Sequence, residues 1–116
     1  MNEPNWITRG ECLSYHESLL KRFGGLSGIR EEGLLDSALN RPKHLFTYGK
    51  PSIFQIAAFY AHGIVKNRPF LDGNKRAGFT AAALFIETNG YRFQAALEEA
   101  VLETLALAVG ETSEEA

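Results

Sequence analysis

The first part of the chain carries apolar residues at helical spacing between clear boundary signals. Thr8 and Glu11 have the spacing of a capping box, in which each side chain accepts a hydrogen bond from the other residue's backbone. Gly24-Gly25 are expected to end the helix, because glycine adopts the left-handed end conformation without steric cost. The pattern therefore predicts a helix from Thr8 to Phe23. Its apolar positions are Cys12, Leu13, His16, Leu19, Leu20 and Phe23.

A second, shorter helix is predicted from about Arg30 to Asn40. Pro42 is expected to close it, because proline disfavours helical backbone in the residue before it. The stretch Arg41–Pro51 lacks periodicity and has a proline near each end, so it is predicted to form an exposed loop or a small hairpin. Its aromatic residues, Phe46 and Tyr48, are expected either to tuck under the loop or to be available to a partner. The apolar face of the second helix is formed by Leu34, Leu35, Ala38 and Leu39.

The middle of the chain contains the most apolar helix. Ser52 and Gln55 form another capping box, which opens a helix predicted to run through Lys66. Apolar residues cover so much of its circumference that it is expected to be central to the core. Its main buried stripe is Ile53, Ile56, Ala57, Tyr60 and Ile64, widened by Phe54, Phe59 and Ala61.

Two further helices are predicted downstream. One starts near Asn74 and ends at Asn89-Gly90, and another runs from about Leu97 to Val109. Thr112–Glu115 resembles one more helix start, which is either a frayed tail or the beginning of a helix missing after Ala116. No stretch alternates apolar and polar residues in the manner of a strand. The fold is therefore predicted to be all-α, a compact helical bundle forming a single domain over residues 1–116.

Composition and charge exclude several classes of protein. The chain is 45% apolar and 22% charged, as is usual for globular proteins, and its net charge of −2 argues against nucleic-acid or membrane binding by the whole protein. The N-terminus lacks a signal peptide, and the longest apolar stretch, Ala77–Ile86, is too short to span a bilayer. A cytoplasmic protein is the simplest interpretation. The single cysteine, Cys12, excludes an internal disulfide and is expected to pack as a small hydrophobic residue.

Candidate chemistry is concentrated just before and within the start of the fourth predicted helix. Gly73 lets the backbone approach a ligand closely, and the free N–H groups of the next turn form an anion site with the positive end of the helix dipole. Lys75 and Arg76 add two cations, and Asn74 adds an uncharged donor. Asp72 supplies an oxygen ligand of the kind that Mg²⁺ takes when it bridges to phosphate. This combination suits a metal–phosphate complex.

The same residues have a plainer interpretation. Asp72 could simply cap the helix, and Lys75 and Arg76 could be solvated surface charges. The segment is not a Walker A loop, because the pattern G-x-x-x-x-G-K-[ST] is absent. Pro69 and Phe70 are expected to anchor the loop in the core rather than to touch a substrate.

The segment Arg68–Arg76, RPFLDGNKR, resembles the signature of the Fic/Doc family, H-x-F-x-[DE]-x-N-x-R, and departs from it at the first position. The upstream sequence is similar to the region before the flap of Doc-like members, at Gly28-Ile29-Arg30, the segment Leu34–Leu39 and Pro42. Downstream, the similarity continues through Asn89-Gly90-Tyr91. The Asn-Lys-Arg ending resembles the Doc branch, the death-on-curing toxins, more than the AMP-transferring branch.

The resemblance implies a helical protein that holds ATP and Mg²⁺ over the signature loop and modifies a hydroxyl of a target protein. Asp72 falls on the metal-ligand position, and residues 73–76 fall on the phosphate-binding turn and helix start. Arg41–Pro51 falls at the flap, which in the family aligns the target chain by strand-like pairing. The candidate catalytic residues are Arg68, Asp72, Lys75 and Arg76, and the candidate cofactor-binding residues are Gly73, Asn74, Lys75 and Arg76.

The resemblance also implies partners. The Doc branch includes a kinase that phosphorylates elongation factor Tu and halts translation, and a cognate antitoxin neutralises it by folding a segment onto it. The internal inhibitory pattern [ST]-x-x-x-E-[GN] of some AMP-transferring relatives is not matched, because Glu32 follows Ser27 and Glu31 at the nearest approach. Inhibition by a separate partner is therefore expected.

Arg68 stands where the family has the histidine that takes the proton from the attacking hydroxyl. Arginine stays protonated and cannot act as a general base, and losing such a base typically costs about 10²–10⁴-fold in rate. Three explanations remain open. The arginine is a detoxifying substitution, either selected or introduced, or it marks a relative that lost catalysis and kept binding. In the third, Arg68 stabilises the transferred phosphate and the chemistry proceeds without a side-chain base. His16, His44 and His62 lie outside the signature, and His62 is expected to be a core or helix-face residue.

Two classes of function follow. The first is an ATP-dependent phosphotransferase toxin of a toxin–antitoxin module that is impaired by Arg68, with AMP transfer to a protein hydroxyl as the alternative chemistry. The second is a binding-only protein that uses the groove and the flap to hold a partner without turnover.

Overall fold

The computed structural model describes residues 3–91 as a bundle of helices. The helices are α1 (Arg9–Phe23), α2 (Glu32–Tyr48), α3 (Ile53–Asn67) and α4 (Asn74–Thr88). This part of the chain contains no strand beyond one isolated bridge between Ile29 and Phe70, so the predicted all-α class is confirmed. The helix predicted at Leu97–Val109 and the helix start at Thr112–Glu115 lie outside the described residues. Among residues 3–91, no helix is long and apolar enough to cross a membrane.

The helix boundary signals act where the sequence predicts them. The Thr8 hydroxyl accepts a hydrogen bond from the Glu11 N–H at 3.1 Å, and the Glu11 carboxylate accepts one from the Thr8 N–H at 2.9 Å. Ser52 and Gln55 make the same reciprocal pair at the start of α3, at 3.1 and 2.8 Å. Gly24, with a φ of 84°, follows the last residue of α1. The predicted positions of α1, α3 and α4 are therefore confirmed.

The second helix is longer than predicted, and the loop or hairpin predicted at Arg41–Pro51 is wrong. α2 begins at Glu32 and continues through Pro42 to Tyr48. Pro42 lacks the N–H that would bond the Ala38 carbonyl, but its ring is buried and extends an apolar stripe along the helix. Burying this stripe offsets the lost hydrogen bond, so the helix passes through the proline. The stripe comprises Leu35, Ala38, Leu39, Pro42, Leu45 and Phe46.

This correction also applies to the flap that the family resemblance implies. The backbone up to Tyr48 is helical, so its N–H and carbonyl groups are used within α2. Only the short connection around Gly49, with φ −138° and ψ −166°, is extended. The α2 part of the stretch therefore offers no strand edge to a target chain.

The centre of the bundle is α3, as predicted, and small residues let its neighbours approach it. A Cβ placed on Gly63 of α3 would lie 3.3 Å from the Ala38 Cα of α2. A Cβ placed on Gly78 of α4 would lie 3.0 Å from the Ala61 carbonyl oxygen of α3. The close α3–α4 contact fixes the geometry of the connection between the two helices, which carries the candidate site.

Cys12 and Tyr60 are buried in the core, and their polar side-chain atoms have hydrogen-bond partners within the protein. Cys12 is fully buried, and burial raises the pKa of its thiol. The Cys12 Sγ donates to the Tyr15 hydroxyl at 3.3 Å, and the Tyr60 hydroxyl accepts a hydrogen bond from the Ile7 N–H at 3.1 Å. Cys12 therefore packs as a small hydrophobic residue, as predicted.

The Tyr60→Phe variant tests the bond between the N-terminal segment and α3. The change leaves the buried Ile7 N–H without its acceptor, so the free energy of unfolding should fall by about 1–3 kcal/mol in a urea titration. Tyr48→Phe is the control, because the Tyr48 side chain is 88% exposed and its loss of a hydroxyl should change stability by less than about 0.5 kcal/mol.

The same variant has a signature at alkaline pH. Burial raises the pKa of Tyr60 to about 12, whereas an unfolded tyrosine titrates near pH ~10. Between these two pH values the unfolded state has lost the Tyr60 proton, whereas the folded state retains it. The contribution of the protonated Tyr60 to the free energy of unfolding is therefore complete below pH ~10 and is lost as the pH rises through about 12. The free energy of unfolding of Tyr60→Phe should therefore fall less at alkaline pH than that of the parent. An equal fall in both proteins would contradict the raised pKa of Tyr60.

Candidate functional site

The signature segment, residues 68–76, forms the connection from α3 to the first turn of α4. Arg68 caps α3 in the left-handed conformation, with φ 51° and ψ 57°, and Gly73 precedes α4 with φ 76°. Pro69 and Phe70 are fully buried, which confirms that they anchor this connection in the core. The exposed side chains of the segment are Arg68, Leu71, Asp72, Lys75 and Arg76. The structure thus places the predicted charged residues together at one exposed turn.

Asn74 closes this turn with its side chain. Its Oδ1 accepts a hydrogen bond from the Phe70 N–H at 2.9 Å, and its Nδ2 donates to the Phe70 carbonyl at 3.0 Å. From the sequence, Asn74 is expected to offer an uncharged donor to a ligand. In the structure the side-chain amide serves the turn itself, and the backbone N–H is the group that Asn74 presents at the helix start.

The Asp72 carboxylate is exposed at the edge of the turn. Its Oδ1 accepts from the Gly73 N–H at 2.9 Å, and its Oδ2 accepts from the Leu26 N–H at 3.2 Å. No side chain caps α4, so Asp72 does not have the helix-capping role of the plainer interpretation. Each carboxylate oxygen has two lone pairs, so each keeps one for a further partner.

A magnesium ion fits this carboxylate only if phosphate completes its coordination. Among the described residues, no group of three or more His, Cys, Asp or Glu side chains could hold a metal ion. Mg²⁺ is commonly bound through one or two carboxylates together with substrate phosphates and water. The single exposed Asp72 therefore matches a metal that arrives with a phosphate ligand and does not match a resident metal centre.

The first turn of α4 presents backbone donors next to Asp72. The first intrahelical bond runs from the Ala77 N–H to the Gly73 carbonyl at 2.9 Å. The N–H groups of Asn74, Lys75 and Arg76 precede this bond and have no carbonyl partner within the helix. The helix dipole adds partial positive charge at the same place, which favours an anion. Backbone and side chains thus both supply positive charge here.

Arg76 is positioned by an aromatic residue from α1. Its guanidinium carbon lies 4.0 Å from the centroid of the Phe23 ring, and the Arg22 guanidinium lies 5.4 Å from the same centroid. Phe23 is 51% exposed, and a cation–π contact at an exposed site is worth about 0.5–1 kcal/mol. The contact therefore orients Arg76 beside the turn while leaving it able to move onto an anion.

His16 is a neighbour of the site that sequence analysis missed. Its ring is buried and stacks on Phe70 with 3.7 Å between centroids, and its Nε2 lies 2.8 Å from the Asp72 carbonyl oxygen. A carbonyl oxygen only accepts, so Nε2 carries the proton in this pair. The apolar stripe of α1 predicts the burial of His16, but its contact lies 56 residues away along the chain. A buried, engaged histidine is not available to a substrate hydroxyl.

A second element, residues 28–31, runs beside the signature segment. The Leu71 N–H donates to the Gly28 carbonyl at 3.0 Å, and the Arg30 N–H donates to the Pro69 carbonyl at 2.6 Å. The Arg30 side chain also donates to the Arg68 carbonyl at 2.7 Å. The Gly28-Ile29-Arg30 segment, noted for its sequence resemblance, is thus in direct contact with the signature.

The two remaining histidines lie on helices and not in the signature segment. His44 is exposed on α2, which does not contribute to the turn. His62 is half-buried on α3, and burial, together with the positive charges of Arg41 and Lys66, lowers its pKa. Arg68 itself is a permanent cation. No histidine among residues 3–91 occupies the first signature position.

A surface cleft of about 340 Å³ lies where α2 ends and α3 begins, at the opposite end of α3 from the signature. The 15 residues of α3 span about 22 Å, so the cleft is a separate feature. It is lined by Leu45, Gly49, Lys50, Pro51, Gln55 and Phe59.

The chain is similar in sequence to one family model and to known proteins. The family model described as the Fic/DOC family matches residues 6–86. The chain is 30% identical over 108 residues to "Protein kinase doc" of Escherichia phage P1, covering 92% of this chain and 85% of that protein. It is 37% identical over 76 residues to "Toxin Doc" of Mycolicibacterium smegmatis, covering 63% of this chain and 58% of that protein. The matched family segment contains all four described helices except the last two residues of α4.

Proposed function

Because this chain belongs to the Fic/DOC family, we propose that it is a Doc-like toxin of a toxin–antitoxin module that binds ATP with Mg²⁺ and acts on a protein hydroxyl. The names of its relatives, a protein kinase and a toxin, support this branch of the family. The observation that carries the proposal is the signature turn, where an exposed carboxylate adjoins the backbone donors and cations of α4. The target we propose is elongation factor Tu, and the site of action is the cytoplasm.

The proposed roles follow from the positions of the side chains. Asp72 would hold Mg²⁺, whose charge offsets that of the phosphates when the nucleotide is bound. The N–H groups at the start of α4, with Lys75 and Arg76, would bind the phosphate oxygens. In the transfer, the target hydroxyl oxygen bonds the γ-phosphorus, the bond to the leaving ADP breaks, and the hydroxyl proton must be accepted.

Arg68 leaves the proposed transfer without a general base at the first signature position. Its guanidinium can donate to phosphate oxygens but cannot accept the hydroxyl proton. We therefore propose that the chain binds nucleotide and transfers phosphate slowly. A binding-only protein is the second candidate, and the observation that favours it is the same residue, which is exposed at the first signature position.

Titration of the chain with ATP and Mg²⁺ tests the proposed nucleotide site. The parent should bind, and Asp72→Ala should weaken magnesium-dependent binding by about 10-fold or more, the effect of ~1.4 kcal/mol. Asp36→Ala is the matched control, because Asp36 is an exposed carboxylate on α2 that pairs with Arg9. Binding by none of the three proteins would contradict the nucleotide site and favour the binding-only candidate.

Mass spectrometry separates phosphate transfer from AMP transfer. The two reactions differ in which phosphorus of ATP is attacked, so elongation factor Tu should gain ~80 Da if phosphorylated and ~329 Da if AMP is added. A gain of ~329 Da would replace the proposed kinase activity by the alternative.

A further inference from the structure

The backbone of residue 68 adopts a conformation that needs support. Arg68 is the only non-glycine residue with positive φ among residues 3–91. In this region the Cβ atom crowds the following carbonyl, so residues other than glycine seldom adopt it without compensating contacts. The Arg68 N–H completes the last turn of α3 by donating to the Ile64 carbonyl at 3.0 Å. A second contact holds the other side of the residue.

That second contact is the side chain of Arg30. Its Nε donates to the Arg68 carbonyl at 2.7 Å, and its Nη2 donates to the Asn67 carbonyl at 2.8 Å. The Arg30 backbone N–H donates to the next carbonyl, that of Pro69, at 2.6 Å. One residue thus bonds three successive carbonyls at the end of α3. The planar guanidinium suits this task because its donors diverge in a fixed fork, and its charge complements the negative end of the helix dipole.

The rest of the signature turn is held by other residues. His16 donates to the Asp72 carbonyl, Leu26 donates to the Asp72 carboxylate, and Phe23 lies against Arg76. The main-chain bond from Leu71 to Gly28 does not involve a side chain. Removing the Arg30 guanidinium therefore affects position 68 first and leaves these contacts in place.

We propose that Arg30 is a positioning residue, whose guanidinium fixes the left-handed backbone at position 68 and so sets the direction in which the side chain of the first signature position leaves the turn. The inference rests on the proposed function, because it assigns Arg30 a role in transfer. Arg30 is expected to act on the transfer step and not on nucleotide binding, since the candidate phosphate and metal contacts lie at residues 72–76.

Backbone NMR of the chain itself tests the structural half of the proposal. The Cα and Cβ chemical shifts and the N–H/Hα coupling of residue 68 should have left-handed values in the parent and should lose them in Arg30→Met. Arg41→Met is the control, because the Arg41 guanidinium lies over Phe59, away from the turn. Left-handed values retained in a folded Arg30→Met protein would overturn the proposal. If that variant does not fold, Arg30→Lys, with one charged donor group in place of the fork, should show a partial loss, and unchanged values there would overturn it equally.

The rate of phosphate transfer, measured in the Arg68→His protein, tests the proposal that Arg30 acts on the transfer step. Adding Arg30→Lys should lower kcat by about 10-fold or more while the KM for ATP changes by less than about 2-fold, because misplacing a reacting group slows the step without weakening binding. Arg41→Lys should leave both constants unchanged. Equal losses of kcat and ATP affinity, or no change in kcat, would overturn the positioning role. If the Arg68→His parent transfers nothing, the proposed function fails, and the NMR experiment still decides whether Arg30 fixes residue 68.

Discussion

Replacing Arg68 with histidine is expected to raise the rate of phosphate transfer by about 10²–10⁴-fold. Neutral imidazole can take the proton of the attacking hydroxyl, which the guanidinium cannot do at any physiological pH. The exposed position of residue 68 at the end of α3 makes the new base accessible to a protein substrate. The initial rate of transfer to elongation factor Tu measures the effect, and growth arrest on expression in bacteria reports it in cells.

Two control variants separate the missing base from other effects of the arginine. Arg68→Lys retains the positive charge, Arg68→Gln removes it, and neither supplies a base at neutral pH. Both should transfer phosphate at about the parental rate, within a few-fold. A gain in Arg68→Gln equal to that in Arg68→His would show that the guanidinium obstructs the site. A folded histidine variant that neither transfers phosphate nor arrests growth would count heavily against the toxin assignment.

The part of the fold that sequence predicts correctly is the part specified by local signals. The capping boxes at Thr8 and Ser52 use side chains three residues apart, so their geometry follows from the sequence alone. The sequence pattern predicts too short an α2 because Pro42 is, by its local effect on the backbone, a helix terminator. What keeps Pro42 inside the helix is burial of the apolar stripe against α3, and that contact is tertiary.

The site divides along the same line. The candidate ligand-binding residues, Asp72 to Arg76, are neighbours in sequence, so their types and spacing indicate them. The residues that hold the signature segment in place are distant: His16 lies 56 positions from Asp72, and Arg30 lies 38 positions from Arg68. A sequence pattern indicates that His16 is buried and that Arg30 is polar, but it does not indicate which turn either one contacts.

The structure also explains why such a turn needs distant support. Lys75 and Arg76 bring two cations to the positive end of α4, where they and the N–H groups of the first turn repel one another, with only the Asp72 carboxylate nearby to offset them. Contacts from α1 and from residues 26–30 hold this arrangement in place. Under the proposed function, these contacts would limit the ordering of the backbone that accompanies anion binding.

The close contact between α3 and α4 makes Gly78→Ala a destabilising change. A Cβ at this position would lie 2.9 Å from the Val65 Cγ2 atom and 3.0 Å from the Ala61 carbonyl oxygen. The carbonyl belongs to the helix backbone, so relieving the contact requires α3 and α4 to separate, which typically costs about 1–3 kcal/mol or more. Replacing glycine with alanine stabilises an isolated helix by about 1 kcal/mol, and this gain offsets part of the packing cost. A measured net loss of stability would therefore mean that the packing cost is larger than the gain.

The opposite sign is expected for Gly10→Ala, which provides the matched control. Gly10 also lies inside a helix, but a Cβ there meets nothing within 4 Å, so alanine should stabilise the protein by about 0.5–1 kcal/mol. Urea unfolding measures both changes, and Gly78→Val should prevent folding because it adds bulk at the same contact. Gly78→Ala should also weaken binding of ATP with Mg²⁺, since shifting α4 moves the donors of its first turn. A Gly78→Ala protein as stable as Gly10→Ala would show that the two helices are not packed as closely as described, and the geometry inferred for the turn between them would then lose its basis.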